Sequence, residues 1–305
     1  MMKTALRAGL AGLILSIALP ANAEVEQATY ASAEEAVSDL AKSARSGDID
    51  AIAAVLGPEG REIASSGDEV ADADARNRFL SAFDQSHEIR QSEDGRSILY
   101  IGEDEFPFPI PLVTDNGRWR FDTEAGAEEI FDRRIGENEL SAVEVLRTFV
   151  DAEREYAETD RDGKGVQYAR RLLSQPDATD GLYWPTGEGE PESPLGPLVA
   201  DAQSEGYKAR SDGPTPFHGY IFRVLTAQGE HAPGGAQDYL INDRMIGGFG
   251  LLATPAEYGN SGVATFIVNH DGVVYERDLG EDTDEIAATI NAFDPGPDWK
   301  PVPAR

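Results

Sequence analysis

The 305-residue chain carries 56 Asp and Glu residues against 26 Lys and Arg, a formal net charge of −30, and no cysteine. That charge repels nucleic-acid phosphates and anionic lipid surfaces, and the lack of thiols excludes disulfides, cysteine nucleophiles and cysteine-ligated zinc. At roughly 100–200 residues per domain, the length corresponds to about two domains.

The chain begins like an export signal. Lys3 and Arg7 precede an apolar run over 8–19, and Ala21-Asn22-Ala23 fits the small-x-small cleavage pattern. A bilayer core needs about 20 apolar residues, so this run is too short to span it, and no later stretch is apolar enough. Cleavage near Ala23 removes two cations and no acid, taking the charge from −30 to −32. The expected product is a soluble periplasmic or secreted protein.

Residues 24–138 read as helices followed by an antiparallel sheet. Ser32-Ala33-Glu34-Glu35 is a capping box, with Val37, Leu40, Ala41 and Ala44 on one helical face. Gly47 ends that helix and Asp48 caps a second, which carries Ile49, Ile52, Val55 and Leu56 up to Gly57. A third helix is predicted over 74–83. Strands are predicted over 87–91, 97–102, 106–113 and 118–122, divided by Asp94-Gly95 and Asn116-Gly117 turns. Pro107, Pro109 and Pro111 cannot donate to a ladder, which makes 106–113 an edge or a polyproline-like segment. The order is α+β and resembles the cone of the nuclear-transport-factor-2-like and cystatin-like folds.

A domain boundary is predicted near 133–139, giving units 24–138 and 139–305. Ser141-Ala142-Val143-Glu144 reads as a second capping box, with Leu140 and Val145 placed as a hydrophobic staple. The stripe Val143, Leu146, Phe149, Val150 carries that helix to about Tyr156. A turn over 160–165, a short helix over 166–173 and a Pro- and Gly-rich stretch over 184–197 follow. Strands are predicted over 219–226, 238–241, 249–253, 263–269 and 273–278, with Asp271-Gly272 turning the last pair, and a helix closes the chain over 284–293. This half is α+β as well.

The blocks YAETDRDGKGVQYARRLLS, DGLYWP, SPLGPLVADA, PFHGYIFRVLTAQG and MIGGFGLLATPAEYGNSGVATFIVNHDGVVYERDLG, in that order, resemble an exported bacterial family of unknown function, DUF 2950. The resemblance implies a Gram-negative envelope protein with no assigned activity, so it carries over no catalytic residue. The C-terminal half also resembles the globular part of pilin-like proteins. It departs from a pilin in having an export signal first and an amphipathic helix at Ser141.

Four candidate chemistries remain. His218 as a general base needs a nucleophile and an orienting carboxylate within hydrogen-bond reach. Ser261, beside Tyr258, is the nearest hydroxyl in motif terms, although Tyr258-Gly259-Asn260-Ser261-Gly262 is not a G-x-S-x-G elbow. The glycines of 228–236 lack the lysine of a phosphate loop. With Gly163 at position six of a calcium loop, Glu158, Asp160 and Asp162 fall at positions one, three and five, but Ala169 takes the place of the bidentate glutamate. A looser Ca²⁺ site is the one cofactor the pattern offers, against the plainer reading of a solvated turn. Trp184, Tyr220 and Arg223 are candidate ligand-binding residues, and their plainer role is core and strand surface. The leading expectation is a non-enzymatic module that binds a small ligand or assembles with another envelope protein. The alternatives are a periplasmic hydrolase using His218 with Ser261 or a carboxylate, and a calcium-stabilised structural module.

Overall fold

The computed structural model describes residues 26–92, 95–187, 189–208 and 214–303. The export segment 1–23 and Asp94 of the first predicted turn lie outside the described residues. The protein is α+β, with antiparallel sheets.

The N-terminal half opens with α1 (Ala33–Ser46), α2 (Ile49–Leu56), α3 (Gly60–Ala64) and α4 (Glu69–Gln85). The caps read from sequence are in place. The Ser32 hydroxyl accepts the Glu35 N–H, Gly47 closes α1 at φ 68°, and the Asp48 carboxylate accepts the N–H groups of Asp50 and Ala51. The helix predicted over 74–83 starts earlier, because Asp68 caps it through the N–H groups of Val70 and Ala71. Strands β1 (His87–Gln91), β2 (Ser97–Ile101), β3 (Phe106–Pro107), β4 (Leu112–Asp115) and β5 (Arg118–Phe121) form a sheet of order β1-β2-β4-β5, with β3 also paired to β2. The strand predicted over 106–113 is broken in two, as three prolines without an N–H dictate. Leu40, Val55, Leu56, Leu99, Leu112 and Phe121 are buried in the cluster between helices and sheet.

The largest departure from the sequence pattern is α5 (Glu124–Tyr156), a single 33-residue helix running through the predicted boundary. Ser141 is not a cap: its hydroxyl donates to the Glu137 carbonyl one turn back. Leu140, cast as half of a staple, is exposed. Near its start α5 touches the N-terminal half closely, since a Cβ on Gly126 would stand 2.5 Å from the Pro109 carbonyl oxygen. Further along, Leu146, Phe149 and Val150 are buried against the second sheet.

The second half continues with α6 (Gly196–Glu205), β6 (Tyr220–Leu225), β7 (Ala227–Gln228), β8 (Gln237–Asp238), β9 (Leu240–Ile241), β10 (Arg244–Met245), β11 (Gly250–Pro255), β12 (Ala264–Asn269), β13 (Tyr275–Asp278), α7 (Thr283–Thr289) and β14 (Lys300–Pro301). The main sheet has the order β14-β13-β12-β11-β6, and β7-β8 and β9-β10 are small separate ladders. Both faces of the main sheet are covered. Leu251, Ala253, Phe266 and Val268 face α5, while Leu225, Leu252, Ile267 and Phe293 form a cluster on the other side. That double burial explains the near-continuous apolar runs of β11 and β12.

Two predicted helices are corrected. Residues 166–173 are irregular and run beside 181–183, where the Leu182 and Tyr183 N–H groups donate to Arg171 and Leu172. The closing helix ends at Thr289, and Phe293 instead bonds to β7 through Ala227 and Gly229. No helix among the described residues is long and apolar enough to cross a membrane.

Candidate functional site

The stretch around His218 is a tight two-residue hairpin. Phe217 and Tyr220 exchange both backbone hydrogen bonds, and His218 and Gly219 lie at φ 47° and 73°. Positive φ at both central positions marks the primed turn that matches strand twist, and histidine is one of the few side-chain residues that tolerate it. The hairpin presses on α5, for a Cβ on Gly219 would meet Asn138 Nδ2 at 2.3 Å.

Around this turn the two halves meet in a polar seam. The Asp68 carboxylate, which caps α4, also accepts the Tyr207 hydroxyl at 3.0 Å and the Gly219 N–H at 2.9 Å. The half-buried Arg134 guanidinium donates to the carbonyls of Glu62 and Ile63 and to the Asn260 side chain. Asn260 in turn donates to the Ser65 carbonyl at 2.8 Å. Asn138 donates to the Ser261 carbonyl, and the Glu139 carboxylate accepts the N–H groups of Val263 and Ala264. The block containing Asn260 and Ser261 therefore docks a turn against α3 and α5. Residues 134, 138 and 139 need α5 unbroken to reach it, which is the physical reason the helix does not stop at the predicted boundary.

His218 and Ser261 engage different partners. His218 Nε2 lies 3.3 Å from Glu205 Oε2, in a cleft of about 540 Å³ that Asp74, Arg78, Glu137 and Ser141 also line. The fully buried Ser261 hydroxyl accepts the Glu257 N–H and donates to the Glu257 carbonyl. Tyr258 stands on the surface and donates to Asp278 at 3.0 Å.

The acidic turn folds onto itself. The Asp160 carboxylate accepts the N–H groups of Gly165 and Lys164, and these bonds, that from Gly165 foremost, hold its carboxyl below its ordinary value. Asp162 accepts from Lys164 and Gln167, and the Glu158 backbone N–H continues the helix end by bonding to Glu155. No three His, Asp or Glu side chains converge as a metal-binding group among the described residues.

The three ligand-binding candidates have structural partners. Tyr220 is buried, its hydroxyl donates to the Ala264 carbonyl, and burial pushes that hydroxyl well above its ordinary range. Trp184 meets Tyr156 edge-on, with the Arg161 guanidinium 5.4 Å from its ring centre. Arg223 donates to the carbonyls of Ala287 and Ile290, both at 2.8 Å, at the C-terminus of α7.

Arg223 also borders a groove of about 1000 Å³. Val145 and Phe149 of α5 and Phe222, Val224 and Leu251 of the sheet form its floor. Leu198, Val199 and Ala202 of α6 form one wall, and Leu172, Leu173 and Tyr183 the other. Helix α6 has no buried residue of its own. It is anchored at its ends by the buried Leu195 and Tyr207, and its apolar side chains remain accessible over the groove. In the sequence, α6 is masked by the Pro- and Gly-rich stretch that it ends. The signals were there: Pro197 in the first turn, Leu198, Val199 and Ala202 at helical spacing, and Gly206 as the left-handed cap.

The core also holds an unexpected acid. Glu153 of α5 is fully buried, with one carboxyl oxygen accepting the Ala169 N–H at 2.8 Å and the other without a partner among the described residues. Burial raises its carboxyl well above the usual range.

Fold and site together define an α+β protein whose two sheets share one long helix, are tied by a polar seam, and leave an apolar groove open on the second. The chain belongs to the family described as Protein of unknown function (DUF2950), whose profile matches residues 27–302. No curated protein and no solved structure matches it.

Proposed function

We propose that the chain is an exported, non-enzymatic binding module that holds an apolar ligand in the groove between α5, α6 and the β6–β11 face. The observation that carries this reading is the groove itself. At about 1000 Å³ it is the size of ligand sites, which run to roughly 300–1,000 Å³ and are largely apolar. Leu172, Leu198, Val199, Phe222 and Val224 of its floor and walls are only partly buried around the main cluster. Contiguous accessible apolar surface on a soluble protein marks an interaction site. The export pattern of residues 1–23 supports a periplasmic or extracellular location for that site. Within this reading the mature chain divides into an NTF2-like cone, 24–138, and a pilin-like unit, 139–305, in which a long helix crosses an antiparallel sheet. The separate hydrophobic clusters of the two halves support that division, and α5 serves both.

The test is titration of the mature chain with the uncharged dye Nile red. Saturable binding with a fluorescence rise is expected. Ala202→Trp, which fills the groove from accessible α6, should weaken the binding at least fivefold. Failure of the unaltered chain to bind the dye saturably overturns the reading.

A further inference from the structure

The groove has a charge pattern opposite to that of the rest of the molecule. The chain holds 56 acidic residues in 305, yet no Asp or Glu lines the groove among the described residues. Its polar lining is Arg170, Arg171, Gln203, Lys208, Thr215 and Arg223. Four of the chain's 26 cations thus meet at one apolar concavity in a protein of net charge −30. Such a local reversal makes the groove electrostatically complementary to an anion despite the acidic surroundings.

The four cations are not equivalent. Arg170 lies 3.0 Å from Asp243 and Arg171 3.4 Å from Asp180, so each already has a counter-charge outside the groove. Arg223 is committed to the two carbonyls at the end of α7. Lys208 is exposed, and its ammonium makes no ion pair or hydrogen bond among the described residues. One uncommitted positive charge therefore stands at the rim of a cavity whose floor and walls are aliphatic and aromatic. A compact, mobile ammonium on a flexible stem suits a single anionic head held at the solvent edge.

Resting on the groove reading above, we propose that the occupant is a free single-chain anionic amphiphile, a long-chain carboxylate. Its hydrocarbon tail lies along Phe222, Val224, Leu198 and Val199, and its carboxylate meets Lys208 at the rim. A single net charge on the head matches the one cation of the lining that is unpaired among the described residues. Binding involves no covalent step.

The experiment displaces Nile red from the mature chain at pH 8 with dodecanoate, with dodecanol, and with carboxylates of ten and fourteen carbons, all below their micellar concentrations. Dodecanoate is expected to displace the dye at about tenfold lower concentration than dodecanol. Affinity should rise with chain length by up to about fourfold per methylene. Lys208→Glu should abolish or reverse the preference for the carboxylate over the alcohol, and its far-ultraviolet dichroism and melting temperature should match the unaltered chain. Equal displacement by alcohol and carboxylate overturns the proposal, as does an unchanged preference in K208E. In either case Nile red binding itself persists and the groove reading stands. Loss of all dye binding in the unaltered chain removes both.

Discussion

The polar seam and the apolar groove adjoin, with Tyr207 bordering both, and they are built on opposite terms. At the seam, Asp68 gathers two helix-capping N–H groups, the Tyr207 hydroxyl and the Gly219 N–H, while Arg134 holds two carbonyls and an amide. These polar groups are matched to one another, and a ligand offered there would have to break bonds already made. At the groove, apolar side chains stay accessible and the Lys208 ammonium has no partner among the described residues. A saturated cluster of charged and amide groups serves architecture, because buried polar groups are tolerated when paired. Unsatisfied surface is where a ligand gains free energy by binding. The motif-like stretch with Asn260 and Ser261 belongs to the first kind, and the inconspicuous stretch 195–208 to the second.

The comparison breaks most sharply at Arg134. Arg134→Ala would leave the Glu62 and Ile63 carbonyls and the Asn260 side chain without their donor and deprive Asp72 and Glu257 of the nearby positive charge. Removing one partner from such a network costs about 3 kcal/mol. Urea unfolding should register that loss, with dodecanoate and Nile red affinities unchanged wherever the protein is folded. A loss below ~1 kcal/mol would mean that the seam does not hold the halves together.

Local structure was the legible part. Ser32, Gly47 and Asp48 announce their caps by residue type alone, and the strands at 87–91 and 118–121 follow from β-formers between turn residues. The misreadings share a cause, which is that a distant partner decided the outcome. Ser141-Ala142-Val143-Glu144 has the composition of a helix start, yet the contacts of Arg134, Asn138 and Glu139 with residues 62–63 and 260–264 require the helix to pass straight through. Residues 166–173 have enough helix formers, yet pair with 181–183. None of these partners lies within a window that periodicity can see. The groove is hidden for the same reason, because its lining comes from segments scattered between residues 145 and 251.

Glu153 sharpens the contrast from inside the core, since it is a charged-type residue without the saturation of the seam. Its carboxyl is raised by burial, so the folded protein keeps a proton there that the unfolded chain releases near pH ~4.3. The unfolded state then binds fewer protons, and stability falls as pH rises from that unfolded value toward the folded one. The fall approaches ~1.4 kcal/mol per pH unit for a single group while the folded form stays protonated. Glu153→Gln preserves the acceptor for the Ala169 N–H and removes the titrating proton. Relative to the unaltered chain, E153Q should gain stability steadily as pH is raised above about 4.3. Parallel stability profiles for the two proteins would place Glu153 in a more polar environment than its burial describes.

The smallest expected effect on stability is also the most discriminating for the groove. Val199 lies on α6, which has no buried residue, so Val199→Ser removes little packing and falls among surface substitutions, within about 0.5 kcal/mol. Yet the same methyl groups line the groove. If a tail lies against them, V199S should weaken dodecanoate and Nile red together by severalfold while the melting temperature stays put. The seam variant R134A predicts the mirror image, with stability lost and affinity kept. Finding the two variants alike in both measurements would mean that groove and seam are one cooperative structure, with α6 packed as tightly as α5. An accessible wall that moves binding without moving stability is what separates a ligand site from an incompletely filled core.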